Sequence, residues 1–171
     1  MSVPAAWREL IGEWTGVNRL WLTPDDPVRG SKTTASVFPA AQGQFVTTRY
    51  TWAEDGQPQD GCLTLGGDPG GQTVEGVWID SWHMAHKFML CTGTADSNAV
   101  IAVVGSYAAP PGPDWGWRIV ITPCVADRFQ LRMYNITPDG EEALAVEASY
   151  SRSTKAGEKP QGDARPPGTD D

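Results

Sequence analysis

The stretch Pro4-Ala5-Ala6-Trp7-Arg8-Glu9-Leu10-Ile11-Gly12-Glu13-Trp14-Thr15-Gly16 contains the change of period that decides the fold. Trp7, Leu10 and Ile11 fall at i, i+3 and i+4, the spacing of one face of a short helix. Ser2 is a candidate N-cap, Pro4 suits the first turn, and Gly12 ends the segment. From Glu13 onward the apolar period is two, the spacing of a strand with one buried face, and it stays two as far as Arg152.

Ten strand candidates follow, at 13–22, 32–38, 44–54, 62–65, 72–82, 86–93, 99–107, 115–122, 128–136 and 142–152. Val46, Tyr50 and Trp52 share one face of the third. The breaks between strands carry turn residues, as in Asp55-Gly56, Gly66-Gly67-Asp68-Pro69-Gly70-Gly71, Asp96-Ser97-Asn98, Pro110-Pro111-Gly112-Pro113 and Pro138-Asp139-Gly140. Short links and no intervening helix predict an antiparallel meander. A meander this long disposes of its edges by closing on itself. The expectation is therefore an all-β, single up-and-down barrel of about ten strands with a short N-terminal helix. A barrel this wide is not filled by its own side chains and encloses a cavity.

Composition agrees with one folded unit. The chain has 171 residues, 40% of them hydrophobic and 20% charged, which is enough to build a core. Thirteen Lys and Arg stand against 21 Asp and Glu, for a formal net charge of -8. That balance argues against nucleic acid or an anionic membrane as partner. Eight Trp residues point to a wide, aromatic interior. Residues 153–171 hold no Val, Ile, Leu or aromatic side chain. They are expected to form a disordered tail behind a barrel domain at 1–152.

The first ten residues have no basic n-region followed by an apolar run, and no apolar run approaches the roughly 20 residues of a membrane span. Cys62, Cys91 and Cys124 form neither a disulfide framework nor a C-x-x-C pair. The expected location is the cytoplasm.

Gly12-Glu13-Trp14, opening the first strand after a short helix, resembles the G-x-W signature of the calycin barrels, the lipocalins and fatty-acid-binding proteins. In lipocalins that Trp closes one barrel end beneath an Arg from late in the chain. The resemblance implies the same closure by Trp14 and Arg152, the latter as a cation–π cover. The longer Gly12-Glu13-Trp14-Thr15-Gly16 is similar to the first strand of nitrobindin-like proteins. Trp78-Ile79-Asp80-Ser81-Trp82-His83-Met84 and Glu147-Ala148-Ser149-Tyr150-Ser151-Arg152 resemble a bacterial calycin-like family, domain of unknown function 1579, over residues 5 to 152. That family implies a fold and no activity. Nitrobindins hold haem through a His late in the chain, whereas the two His here, His83 and His86, are mid-chain. Among substitutes (His83, His86, Cys91, Tyr150), His83 is the best placed, but Asp80 and His86 are expected to make its surroundings too polar for haem. A colourless protein with no cofactor and no metal is expected.

Three groups of residues carry candidate chemistry. Asp80, His83 and His86 lie within seven residues at a strand end and turn. A carboxylate beside a His is a general-base arrangement, because the acid fixes the tautomer and supports the imidazolium. The alternatives are His-x-x-His metal ligation, which needs a turn between the two, and a turn His bonded to backbone. Arg132-Met133-Tyr134 has the R-x-Y form with which fatty-acid-binding proteins grip a carboxylate. Phe129, Leu131 and Met133 take the opposite face, so Arg132 and Tyr134 either anchor a ligand or face solvent. Arg49 and Arg118 pose the same choice. Trp78 and Trp82 share a face with Asp80, and Trp115 and Trp117 share another. Indoles with one polar edge suit a flat, amphipathic ligand or ordinary packing. No nucleophile elbow, phosphate loop or H-E-x-x-H occurs.

The leading expectation is a small-molecule-binding barrel holding an apolar or aromatic ligand, with Trp78, Trp82, His83, His86, Arg118, Arg132 and Tyr134 as candidate contacts. The alternatives are an isomerase, cyclase or hydrolase using Asp80 and His83, a protein that dimerises through a barrel face, and nitrobindin-like haem binding.

Overall fold

A computed structural model describes residues 5–68, 73–124 and 127–153. Ten antiparallel strands run in chain order: β1 (Gly12–Leu20), β2 (Arg29–Ala40), β3 (Phe45–Glu54), β4 (Gln57–Gly67), β5 (Val74–Asp80), β6 (Met89–Ala95), β7 (Ile101–Tyr107), β8 (Trp115–Cys124), β9 (Arg128–Ile136) and β10 (Glu142–Arg152). Each pairs with its neighbours in sequence, and β10 pairs back onto β1, with Trp14 opposite Arg152 and Leu20 opposite Val146. The sheet is a closed up-and-down barrel with no free edge.

The period-two pattern sets which side chains enter. Trp14, Asn18 and Leu20 of β1, Tyr50 and Trp52 of β3, Trp78 and Asp80 of β5, and Phe129, Leu131 and Met133 of β9 are all buried. A register shift in β10 between Leu144 and Val146 places Ala145 and Val146 both in the interior. Burying such large side chains stabilises the barrel by about 1.5–3 kcal/mol each.

The helix expected over 4–11 is not seen at that length. Only a single helical turn, Ala5–Arg8, stands before β1. Leu10 and Ile11 follow it in a turn closed by Leu10 N–H to Trp7 C=O and Ile11 N–H to Arg8 C=O. Four or five residues cannot repay helix nucleation in isolation, and Trp7 and Leu10 are held by packing against the barrel. The suggested caps Ser2 and Pro4 lie outside the described residues, as do 69–72 of the Gly-rich loop and the tail from 154.

The fifth and sixth strands also depart from expectation. β5 stops at Asp80 and β6 starts at Met89, so Trp82 and His86 belong to a turn at 81–86 and not to strands. That turn begins with Met84 N–H bonding Asp80 C=O at 3.1 Å and folds Met84 into the core.

Candidate functional site

The two barrel ends differ. At the end where β1 starts, the Arg152 guanidinium lies over the Trp14 ring at 4.3 Å. It also donates to Ile11 C=O at 3.0 Å, Glu9 C=O at 2.7 Å and Asp127 Oδ1 at 2.7 Å. Trp14 Nε1–H donates to Leu10 C=O at 2.8 Å, and the ring meets Phe129 edge-on at 4.8 Å. Phe129 stacks on Tyr150 at 4.6 Å. Gly12 has φ +144, and a Cβ there would sit 2.6 Å from Arg152 Nη1. Only glycine lets that guanidinium close over the end.

At the other end the turn at 81–86 enters the mouth and carries His83 inside. Asp80 is buried, and its carboxylate accepts five hydrogen bonds. Oδ2 accepts from Tyr50 O–H at 2.9 Å and Trp52 Nε1–H at 3.2 Å; Oδ1 accepts from Trp82 N–H at 2.9 Å, His83 N–H at 3.0 Å and His83 Nδ1 at 3.1 Å. Trp78 Nε1–H donates to Tyr50 Oη at 2.8 Å. Burial alone would raise the Asp80 pKa, but the hydrogen bond and charge of His83 and the two backbone N–H donors outweigh it and hold the carboxyl below its ordinary value. Burial, then the negative Asp80, push the Tyr50 hydroxyl well above its ordinary value, so it remains a donor. Gly61 opposes Tyr50 across the β3–β4 pair, and a Cβ there would collide with the Tyr50 hydroxyl. The missing side chain is the room in which Tyr50 reaches Asp80.

His83 is packed among four indoles. Its ring centroid lies 4.7 Å from Trp82, 5.0 Å from Trp117 and 5.7 Å from both Trp52 and Trp78. Trp78 and Trp117 stack on each other at 5.5 Å and 12°. One side of His83 borders an inner void of about 10 Å³ beside Tyr50, Trp52 and Asp80. The other side borders a cavity of about 280 Å³ at the mouth. Leu20, Met84, Met89 and the stacked indoles give that cavity apolar walls, and Asn135 and Tyr107 add polar groups. Tyr107 O–H donates to Asn135 Oδ1 at 2.6 Å. Trp117 Nε1 is buried and has no hydrogen-bond partner among the described residues. In the neutral tautomer that carries its proton on Nδ1, toward the Asp80 carboxylate, His83 has Nε2 as an acceptor, the arrangement a general base or a ligand anchor needs.

The other expected contacts are not brought into this cavity. His86 is exposed at the end of the turn. Arg132 Nε donates to Glu147 Oε2 at 3.1 Å on the outer wall. Arg118 pairs with Glu142 and lies over the Tyr134 ring at 4.4 Å, also outside. Arg49 is exposed and borders an outer groove with Glu13 and Asp60. The β9 alternation that buries Phe129, Leu131 and Met133 turns Arg132 and Tyr134 outward. Trp115 lies in an adjoining groove of about 300 Å³ that shares Trp21 and Asn135 with the mouth cavity. No group of three or more His, Cys, Asp or Glu side chains able to hold a metal occurs among the described residues.

The surroundings of His83 are aromatic rather than polar, contrary to expectation: Asp80 is fully engaged behind the ring, and His86 points away. The cavity of about 280 Å³ lies just below the roughly 300–1,000 Å³ of drug-sized sites, and the stacked Trp78 and Trp117 form part of its wall.

No helix among the described residues is long and apolar enough to cross a membrane. No curated protein matches the chain. Among solved structures, the crystal structure of Rv2717c from M. tuberculosis aligns with a TM-score of 0.60 at 16% identity, over 89% of this chain and 99% of that one. At that identity the likeness speaks for the fold alone. The family model described as "Protein of unknown function (DUF1579)" matches residues 5–152, and the chain belongs to that family.

Proposed function

We propose that the protein binds a small apolar or aromatic molecule in the mouth cavity, beside the Trp78–Trp117 stack and His83. The observation that carries this reading is a cavity of about 280 Å³ walled by indoles and thioethers, with the polar edges of His83, Asn135 and Tyr107 in its lining. Apolar walls with a few placed polar groups are the usual make-up of ligand sites. The test is titration of Trp emission with one- and two-ring aromatic compounds, on the native chain and on Ala145→Phe, which fills the cavity from β10. Saturable quenching in the native chain that is lost in Ala145→Phe supports the reading. Equal quenching in both, or none in either, sinks it.

The contact between Asp80 Oδ1 and His83 Nδ1 at 3.1 Å favours a second reading, general-base catalysis at the same place. Its mark would be exchange of an α-proton of a bound ketone with D2O, followed by NMR and lost in His83→Gln.

A further inference from the structure

The mouth cavity has no positively charged side chain, Lys or Arg, in its lining among the described residues. The nearest buried formal charge is the carboxylate of Asp80, in contact with the far edge of His83. The candidate cations Arg118 and Arg132 are paired with Glu142 and Glu147 on the outer wall. A ligand carboxylate or phosphate placed here would lose its hydration with no counter-charge and with Asp80 nearby. That is among the costliest ways to bury a group.

The polar groups that do face the cavity are complementary to a neutral ligand. Trp117, only 3% exposed, has an Nε1–H with no partner. Buried donors are almost always satisfied, but this atom has no accessible surface through which a ligand could reach it, so Trp117 contributes its ring to the cavity and not its N–H. Trp7 Nε1 is likewise unpartnered, but Trp7 lines none of the cavities described here. Asn135 uses Oδ1 to receive the Tyr107 hydroxyl, which fixes the amide and leaves its Nδ2 hydrogens as donors. His83, in ring contact with Trp117 at 5.0 Å, offers Nε2 as an acceptor in its neutral form. The parallel Trp78 and Trp117 rings supply a flat wall.

We infer that the cavity takes an uncharged planar molecule of one or two rings that carries a carbonyl-type oxygen for the Asn135 amide and an N–H or O–H for His83, and that it rejects anions. This rests on the ligand-binding reading above and narrows it to a chemical class. Fatty acids and other carboxylates are thereby excluded.

A matched series on one ring system tests this by isothermal titration calorimetry at neutral pH. 2-Naphthamide carries both acceptor and donor, 2-acetylnaphthalene the acceptor alone, naphthalene neither, and 2-naphthoate a carboxylate of nearly the same shape as the amide. The expected order of affinity is amide, then ketone, then hydrocarbon. Each lost hydrogen bond is expected to weaken binding about three- to tenfold. Naphthoate is expected to bind at least ~30-fold more weakly than the amide, from burial of an uncompensated charge. Asn135→Leu should lower the affinity of the amide and the ketone relative to naphthalene about three- to tenfold, and His83→Gln should lower that of the amide relative to the ketone by a similar factor. Naphthoate binding as tightly as the amide, or an amide affinity indifferent to both variants, overturns the charge and donor assignment and leaves the cavity as a binding site. Failure of all four compounds, naphthalene included, overturns both.

Discussion

At the end of the barrel where β1 begins, an Arg lies on a Trp and donates to two backbone carbonyls and a carboxylate. At the opposite end, a His lies among four Trp with one ring nitrogen on a carboxylate and the other bordering a cavity. Both ends combine indoles with a cation-capable side chain. In the first, the guanidinium is spent on the chain's own acceptors, which seals the end. In the second, Asp80 takes up one edge of His83 and leaves the other, with the Asn135 amide, unspent. Aromatic content alone therefore does not distinguish a plug from a pocket. The distinction lies in whether the polar edges are satisfied from within.

This contrast can be broken by substitution at each end. Trp14→Ala should cost about 3–5 kcal/mol in urea unfolding, the usual loss for a buried Trp, and should leave the affinity of a cavity ligand unchanged in the folded fraction. Asp80→Ala should cost about 3 kcal/mol, because Tyr50, Trp52 and two backbone N–H groups lose a buried acceptor. It should also abolish ligand affinity, because His83 loses its orientation. Arg152→Met should cost about 1–2 kcal/mol without touching the ligand. His83→Gln should cost about 1–2 kcal/mol, through the lost contact with buried Asp80, and remove most of the affinity. If Arg152→Met weakened the ligand as much as His83→Gln does, the functional separation of the two ends would be lost.

The pH dependence sharpens the same comparison. Asp80 titrates lower in the folded chain than in the unfolded one. Its stabilisation is therefore full above the ordinary carboxylate value of about 3.9 and is lost as pH falls through the folded value. Asp80→Asn should flatten the stability curve in that acid window. At the sealed end, burial pushes the Tyr150 hydroxyl from 10.0 up to about 12. Its contribution is full below pH 10 and declines as pH rises from there toward 12. Tyr150→Phe should make unfolding less steep in that alkaline window only. The smallest effect concerns thiols. Burial raises the Cys91 pKa to about 11, so iodoacetamide at pH 8 should label exposed Cys124 and spare Cys91 in the folded protein.

The barrel was legible because strand period, turn residues and even spacing all point one way, and β9 and β10 begin and end where the pattern puts them. The short helix was misjudged because i, i+3, i+4 apolar residues are equally compatible with one helical turn followed by a packed turn. Residues 81–82 and 86–88 read as strand ends because Trp82 and Phe88 favour strands, whereas the backbone N–H groups of Trp82 and His83 instead bond the side chain of Asp80. The Asp80–His83 pairing was readable from sequence proximity. Its supports were not. Tyr50 and Trp52 are some thirty residues away, and only the register of the β3–β4–β5 meander brings them to Asp80. Asn135 had a signal that went unused: it continues the inward alternation of Phe129, Leu131 and Met133 as a polar residue at a core position. The orphan donor on Trp117 had none, because a missing partner is a property of three-dimensional packing.

The most direct test of the central claim is native mass spectrometry of the chain and of Ala145→Phe, each purified from its native host without detergent. The account predicts a 1:1 adduct of low mass on the native chain whose released component is uncharged and aromatic, and its absence from Ala145→Phe. An anionic component, an adduct carried equally by Ala145→Phe, or bare polypeptide from both would contradict it.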